Sequence, residues 1–154
     1  MKKLLLTIFT LLITGIVLAD DGKPLRKIEA ADLPEAAQNF IQKHFGGLYA
    51  VNSVGVWVND YGVYMEDGQK LNFYMDGSLK EAKAEDRLLP MSILSEFPSS
   101  ISDYINSKFS GWKLAEVDVE DSKIEIELVE QGQNASLVFN RSGELLEEDV
   151  EEAD

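Results

Sequence analysis

Apolar positions along the chain follow one order of elements, and the order occurs twice. Ala37, Phe40, Ile41 and His44/Phe45 recur at spacings of three and four, the stripe of a helix with one buried face. Asp32 reads as its N-cap. Glu35 lies three residues on, the spacing of a capping box, and Pro34 lies in the first turn, where its missing N–H does no harm. Gly46-Gly47 ends the helix. The period then changes to two. Val54, Val56 and Val58 share one face of a strand, and Val63 and Met65 follow after a turn at Asn59-Asp60. Asp67-Gly68 signals a hairpin into Leu71, Phe73 and Met75, and Asp76-Gly77 turns into a fourth strand near Leu79.

The second copy repeats the helical stripe with Ile101, Tyr104, Ile105 and Phe109, ending at Gly111. Val117 and Val119 follow, then Ile124, Ile126 and Leu128, a turn at Gln131-Gly132, Leu137 and Phe139, and Ser142-Gly143 before Leu145. Pro34, Ile41, Phe45 and Gly47 return as Pro98, Ile105, Phe109 and Gly111. The offset is 64 in the helices, 63 through the first two strands and 66 at the third, with each shift falling in a loop. An internal repeat of this kind sets the architecture. The expected fold is α+β: a tandem duplication of α-β-β-β-β units, joined into one continuous antiparallel sheet with both helices on one face. The other face then meets solvent or a partner. Residues 32–86 form the first repeat, 87–95 the linker and 96–150 the second repeat. Residues 20–31 form an extended leader, and 151–154 belong to an acidic run from Glu147 that should fray.

The first 19 residues read as a secretory signal. Lys2 and Lys3 precede an apolar stretch from Leu4 to Leu18, and Val17-Leu18-Ala19 supplies the small residues for cleavage after Ala19. No cysteine follows, so a lipid anchor is excluded, and no second apolar run is present, so the mature form carries no membrane anchor. The complete lack of cysteine excludes disulfides, thiolate chemistry and sulfur-ligated metals. An export signal without disulfides fits a bacterial periplasmic or secreted protein. The 154-residue chain has a net charge of −14, and losing Lys2 and Lys3 with the leader takes it to −16. That balance disfavours nucleic acid and anionic lipid, and it permits a basic protein partner or a cation.

The Leu-Pro start, the amphipathic helix ending in Phe-x-Gly and the Asp-Gly and Phe-x-x-x-Gly turns resemble the PepSY-like, beta-lactamase-inhibitor-like periplasmic family. The resemblance spans about Leu33 to Val150 in two copies. Phe97 replaces Leu before Pro98, and Gln131 replaces Asp before Gly132. The resemblance implies tandem helix-plus-four-strand units related in fold to beta-lactamase inhibitor protein. It carries no inhibitor contact onto this sequence, and fold alone assigns no function.

Catalytic chemistry finds no support in the residues. His44 is the only histidine, and its repeat counterpart is Lys108, so a solvated position is expected. No Ser or Cys pairs with it in a local motif. Asp118, Glu120 and Asp121, and likewise Asp60, Glu66 and Asp67, could bind calcium, but neither set fits the twelve-residue calcium loop. No cofactor motif and no zinc spacing is present.

The open face of the sheet carries the candidate site. If Val54, Val56 and Val58 face the helix, Trp57 faces away, and the same alternation places Tyr64 and Tyr74 on that side. In the second repeat the outward places hold Glu116, Asp118, Glu120, Glu125 and Glu127. Trp and Tyr are enriched at binding hot spots, and carboxylates steer a basic partner. The expected function is a non-catalytic exported binding module that grips a protein, such as a secreted or periplasmic hydrolase, and inhibits or regulates it. The alternative is a small ligand, a divalent cation such as calcium, or a cationic peptide.

Overall fold

The computed structural model describes residues 23–85 and 87–152. The expected signal at 1–19 and the last two residues lie outside them. A short strand β1 (Arg26–Ile28) opens the chain, followed by helix α1 (Glu35–Phe45) and strands β2 (Val51–Val56), β3 (Asp60–Met65), β4 (Lys70–Tyr74) and β5 (Leu79–Lys83). A linker with a 3-10 turn at Met91–Glu96 leads to α2 (Ser99–Lys108). Strands β6 (Lys113–Val119), β7 (Lys123–Glu130), β8 (Gln133–Asn140) and β9 (Leu145–Glu152) complete it. All nine strands form one antiparallel sheet in chain order. The fold is the α+β tandem duplication expected from the pattern.

One cross-strand row shows how the core is built. Val54, Val63, Leu71, Ala82, Val117, Ile126 and Leu137 stand opposite one another across seven strands. Every one of them is buried. Period-two side-chain geometry puts all seven on one face, and the helices cover that face. Phe40 of α1 meets Phe73 edge-on with ring centroids 5.5 Å apart, and Tyr104 of α2 meets Phe139 in the same way at 6.0 Å. The repeats are thus equivalent in three dimensions as well as in sequence.

Turn glycines fix where each helix begins. Gly77 (φ 86°) and Gly143 (φ 89°) sit in the left-handed region, which L side chains rarely adopt. A Cβ on Gly77 would lie 2.7 Å from Pro34 Cβ, and one on Gly143 would lie 2.8 Å from Pro98 Cβ. The β4–β5 and β8–β9 turns therefore press backbone directly against the proline that starts each helix.

Several local expectations are corrected. α1 begins at Glu35 with Pro34 in the cap position and no side-chain cap bond. Asp32 instead closes a 3-10 turn (Ala30–Asp32), because the chain is still turning out of β1 at that point. The leader is not merely extended, since β1 pairs with β2. Val58 and Met75 are 73% and 48% exposed, because β2 stops at Val56 and β4 at Tyr74, leaving both residues beyond the strand ends. His44 is not solvated: its side chain is fully buried. Its Nε2 donates to Glu96 Oε1 at 2.6 Å and its Nδ1 meets Ser92 Oγ at 2.8 Å, which ties α1 to the linker. Within the described residues the acidic run is strand and not a frayed end, because β9 pairs with β8 as far as Glu152, including Glu151 and Glu152 of the expected tail.

Gly143→Ala is expected to cost about 2 kcal/mol or more, from left-handed strain plus overlap with Pro98. A urea unfolding midpoint unchanged from wild type would contradict this account of the turn.

Candidate protein-binding face

Residues alternate with the buried row, so those between its members project from the uncovered side. One open-face row runs Lys27, Gly55, Gly62, Asn72, Glu81, Asp118, Glu125, Val138 and Glu147. A second runs Ser53, Tyr64, Lys70, Lys83, Glu116, Glu127, Ser136 and Asp149.

Trp57 lies across the paired glycines of the first row. A Cβ built on Gly55 would sit 2.6 Å from the indole, and one built on Gly62 would sit 2.5 Å from it. The two glycines make a slot with no side chains, and the indole fills it beside Pro24. Trp57 is accordingly half-buried. Tyr64 is exposed, with Lys70 Nζ 5.9 Å from its ring centroid. Tyr74 is half-buried, and its hydroxyl donates to the Val119 carbonyl at 2.7 Å, crossing β5 to reach β6. Lys80 stands 5.7 Å from the Tyr74 ring and pairs with Asp60 at 2.6 Å. The three aromatics are on one face but held differently: Trp57 by packing, Tyr74 by a hydrogen bond, and Tyr64 at the surface.

On the acidic side, Glu116, Asp118, Glu125 and Glu127 are all half-buried. Carboxylate oxygens of Glu116 and Asp118 lie within 4.8 Å of one another and of Glu81 on the neighbouring strand. Glu120 lies beyond the end of β6 and is exposed. The alternation did not reveal Glu81, Asn72, Lys70, Lys80 or Lys83, which stand between the aromatic and acidic halves. Asn72 Nδ2 donates to Glu81 Oε2 at 2.6 Å, and Lys83 pairs with Glu116 at 3.2 Å. Lys123 bonds to Glu125. The face therefore grades from aromatic through mixed charge to acidic.

A model of the family described as "Putative beta-lactamase-inhibitor-like, PepSY-like" matches residues 23–81 and 59–147. The chain belongs to this family. The PepSY-like matches overlap over residues 59–81, which hold β3, β4 and the start of β5. Among solved structures, a protein of Bacteroides thetaiotaomicron described as a putative calcium-regulated periplasmic protein is similar. It is 21% identical with a TM-score of 0.66, over 80% of this chain and 95% of that one. Two Bacteroides vulgatus proteins, both described as putative periplasmic proteins, are similar as well. One is 22% identical with a TM-score of 0.67 over 80% and 95% of the two chains. The other is 23% identical with a TM-score of 0.64 over 77% and 93%. These likenesses establish a shared fold. No curated protein matches. Among the described residues, no helix is long and apolar enough to cross a membrane.

Electrostatically, the centre of this PepSY-like face is its most perturbed region. Burial, then the charges of Glu81, Glu116, Glu125 and Glu120, push the Asp118 carboxyl up to about 7. Burial and Glu116 also raise Glu127, against the pull of Lys83. A raised carboxyl makes the folded state bind protons that the unfolded state releases. Its contribution to stability therefore falls as pH climbs from the ordinary aspartate range toward 7. Asp118→Asn is expected to flatten that decline, with a melting midpoint above wild type at pH 8 and close to it at pH 4. Parallel midpoint curves for the two proteins between those limits would refute the assignment.

Proposed function

We propose that the protein is a non-catalytic binding module, exported to the periplasm or beyond, which grips another protein with its open sheet face. The observation that carries this reading is the uncovered face itself, where fixed aromatics meet a carboxylate field while both helices pack on the other side. Trp57, Tyr64 and Tyr74 supply apolar contact. Two of them are already immobilised, so docking costs little side-chain entropy there. Glu116, Asp118, Glu125 and Glu127 favour a partner with basic residues and speed its approach at low salt. An exported hydrolase, which the module inhibits or regulates, is the partner class suggested by the family's inhibitor-like description. The periplasmic descriptions of the similar structures agree with an exported setting.

A catalytic reading has one geometric point in its favour, since Ser92, His44 and Glu96 are joined by hydrogen bonds. The imidazole is sealed in the packing beside Phe40, with ring centroids 4.7 Å apart, so it serves as a clasp between α1 and the linker.

Capture of partners from periplasm and medium tests the proposal, with wild type beside Trp57→Ala/Tyr64→Ala. A partner that loses at least tenfold in affinity to the double variant, itself folded by circular dichroism, supports the open face. Unchanged capture by the variant overturns it. A melting midpoint that instead moves between chelator and millimolar calcium would turn the carboxylate centre toward a cation, in line with the calcium-regulated description of one similar structure.

A further inference from the structure

Strand β9 ends the sheet. Seven of its eight residues pair with β8 along one side, and among the described residues nothing pairs with its other side. An edge of this length presents a row of unpaired N–H and C=O groups that can template another strand. Its side chains alternate strictly from Glu147 onward. Glu147, Asp149 and Glu151 stand opposite Val138, Ser136 and Asn134 on the open side. Glu148, Val150 and Glu152 stand opposite Leu137, Ala135 and Gln133 on the helix side.

The two sides of β9 differ in how they are satisfied. Glu148 accepts from Tyr104 Oη and from Lys108 Nζ at 2.5 Å, so it belongs to α2. Among the described residues, Glu147, Asp149 and Glu151 form no ion pair, leaving three like charges in a line on the open side. Val150 is 44% exposed between them on the opposite side. This pattern rejects a second copy of the chain. Two β9 edges brought together would oppose carboxylate to carboxylate. The opposite edge, β1, carries Arg26 and Lys27 but is three residues long. It also runs parallel to β9, both being odd-numbered in an all-antiparallel sheet, so a copy continuing the sheet face to face would pair weakly.

We propose that the outer edge of β9 receives an extended basic segment of another protein as a tenth strand. Lys or Arg at alternate positions of that strand meets Glu147, Asp149 and Glu151, and an apolar residue between them covers Val150. The main-chain ladder supplies affinity, and the alternation supplies selectivity. This surface is separate from the aromatic half of the open face, and the inference stands without it.

A labelled seven-residue peptide of alternating Lys with Thr, Val and Thr between, capped at both ends, tests the proposal by fluorescence anisotropy. The comparison peptide carries the same charges but is N-methylated at the amides that would face β9. Binding is expected to weaken at least tenfold on N-methylation, and at least tenfold with Glu147→Lys/Asp149→Lys/Glu151→Lys. The amides of β9 should gain protection from hydrogen exchange. Equal binding of the N-methylated peptide would reduce the effect to charge attraction and overturn the proposal. Absence of binding to wild type, or exchange protection confined to β2 to β4, would overturn it as well. If the triple variant fails to fold, the N-methyl comparison decides on wild type alone.

Discussion

Everything about the open face depends on the seam where β5 of the first repeat pairs with β6 of the second. Only Glu81, Ala82 and Lys83 pair there, with Asp118, Val117 and Glu116. Two flanking bonds lengthen it, from Ala84 N–H to the Ala115 carbonyl and from Leu89 N–H to the Leu114 carbonyl, both at 2.9 Å. On the helix side the seam is apolar, because Ala82 and Val117 sit within the buried row. On the open side it sets Glu81 directly against Asp118, a like-charge pair that opposes strand pairing. The seam therefore holds through backbone bonds, core burial and the Lys83–Glu116 pair, while Glu81 and Asp118 work against it. Asp118 relieves the conflict by holding its proton to about pH 7. The chemistry of the face and the cohesion of the two repeats are thus set by the same few residues.

The duplication places equivalent residues in unequal surroundings, and the substitutions follow the surroundings. Ala82 and Glu148 occupy the same place in their repeats, each opposite the buried leucine of the preceding strand, Leu71 or Leu137. β5 is flanked on both sides, so its inward position holds a small apolar residue. β9 is flanked on one side only, so the same position holds a carboxylate that reaches Tyr104 and Lys108 of the helix. Charge along β9 also keeps two copies from joining at that edge.

The helices, the first three strands of each repeat and the shared sheet were legible because the apolar runs read in them, such as Val54–Val56, Val117–Val119 and Ile124–Leu128, lie clear of the irregular positions at Val51–Ser53 and Leu114–Glu116. β5 and β9 were placed only by the turns before them, near Leu79 and Leu145, and their faces and extent were not read; the cause is identifiable. Each is interrupted by an extra residue: Leu79 and Ala82 both face inward although three apart, with Lys80 bulged between the paired positions. Leu146 plays the same part in β9, between Leu145 and Glu147. A bulge breaks period two, so alternation cannot carry through it. For that reason Glu81 and Lys83 escaped the sequence reading of the face, and an ordered, charged edge strand read as a fraying tail. His44 failed differently. Its counterpart Lys108 is half-exposed beside Glu148, whereas the linker folds over His44 alone. Repeat equivalence is blind to an element that occurs once.

The open face differs from an ordinary polar sheet surface in how little freedom its aromatics retain. Indole seated on a glycine pair cannot leave without opening a groove two strands wide, and the Tyr74 hydroxyl is anchored across an intervening strand to β6. If these side chains served only to shield the sheet, larger residues at positions 55 and 62 would do so with less backbone entropy lost on folding. The glycines instead let the indole lie close against the backbone of β2 and β3, half-buried. Under the proposed function, such a surface would suit a partner that docks by shape, and the graded charge beside it would set that partner's orientation.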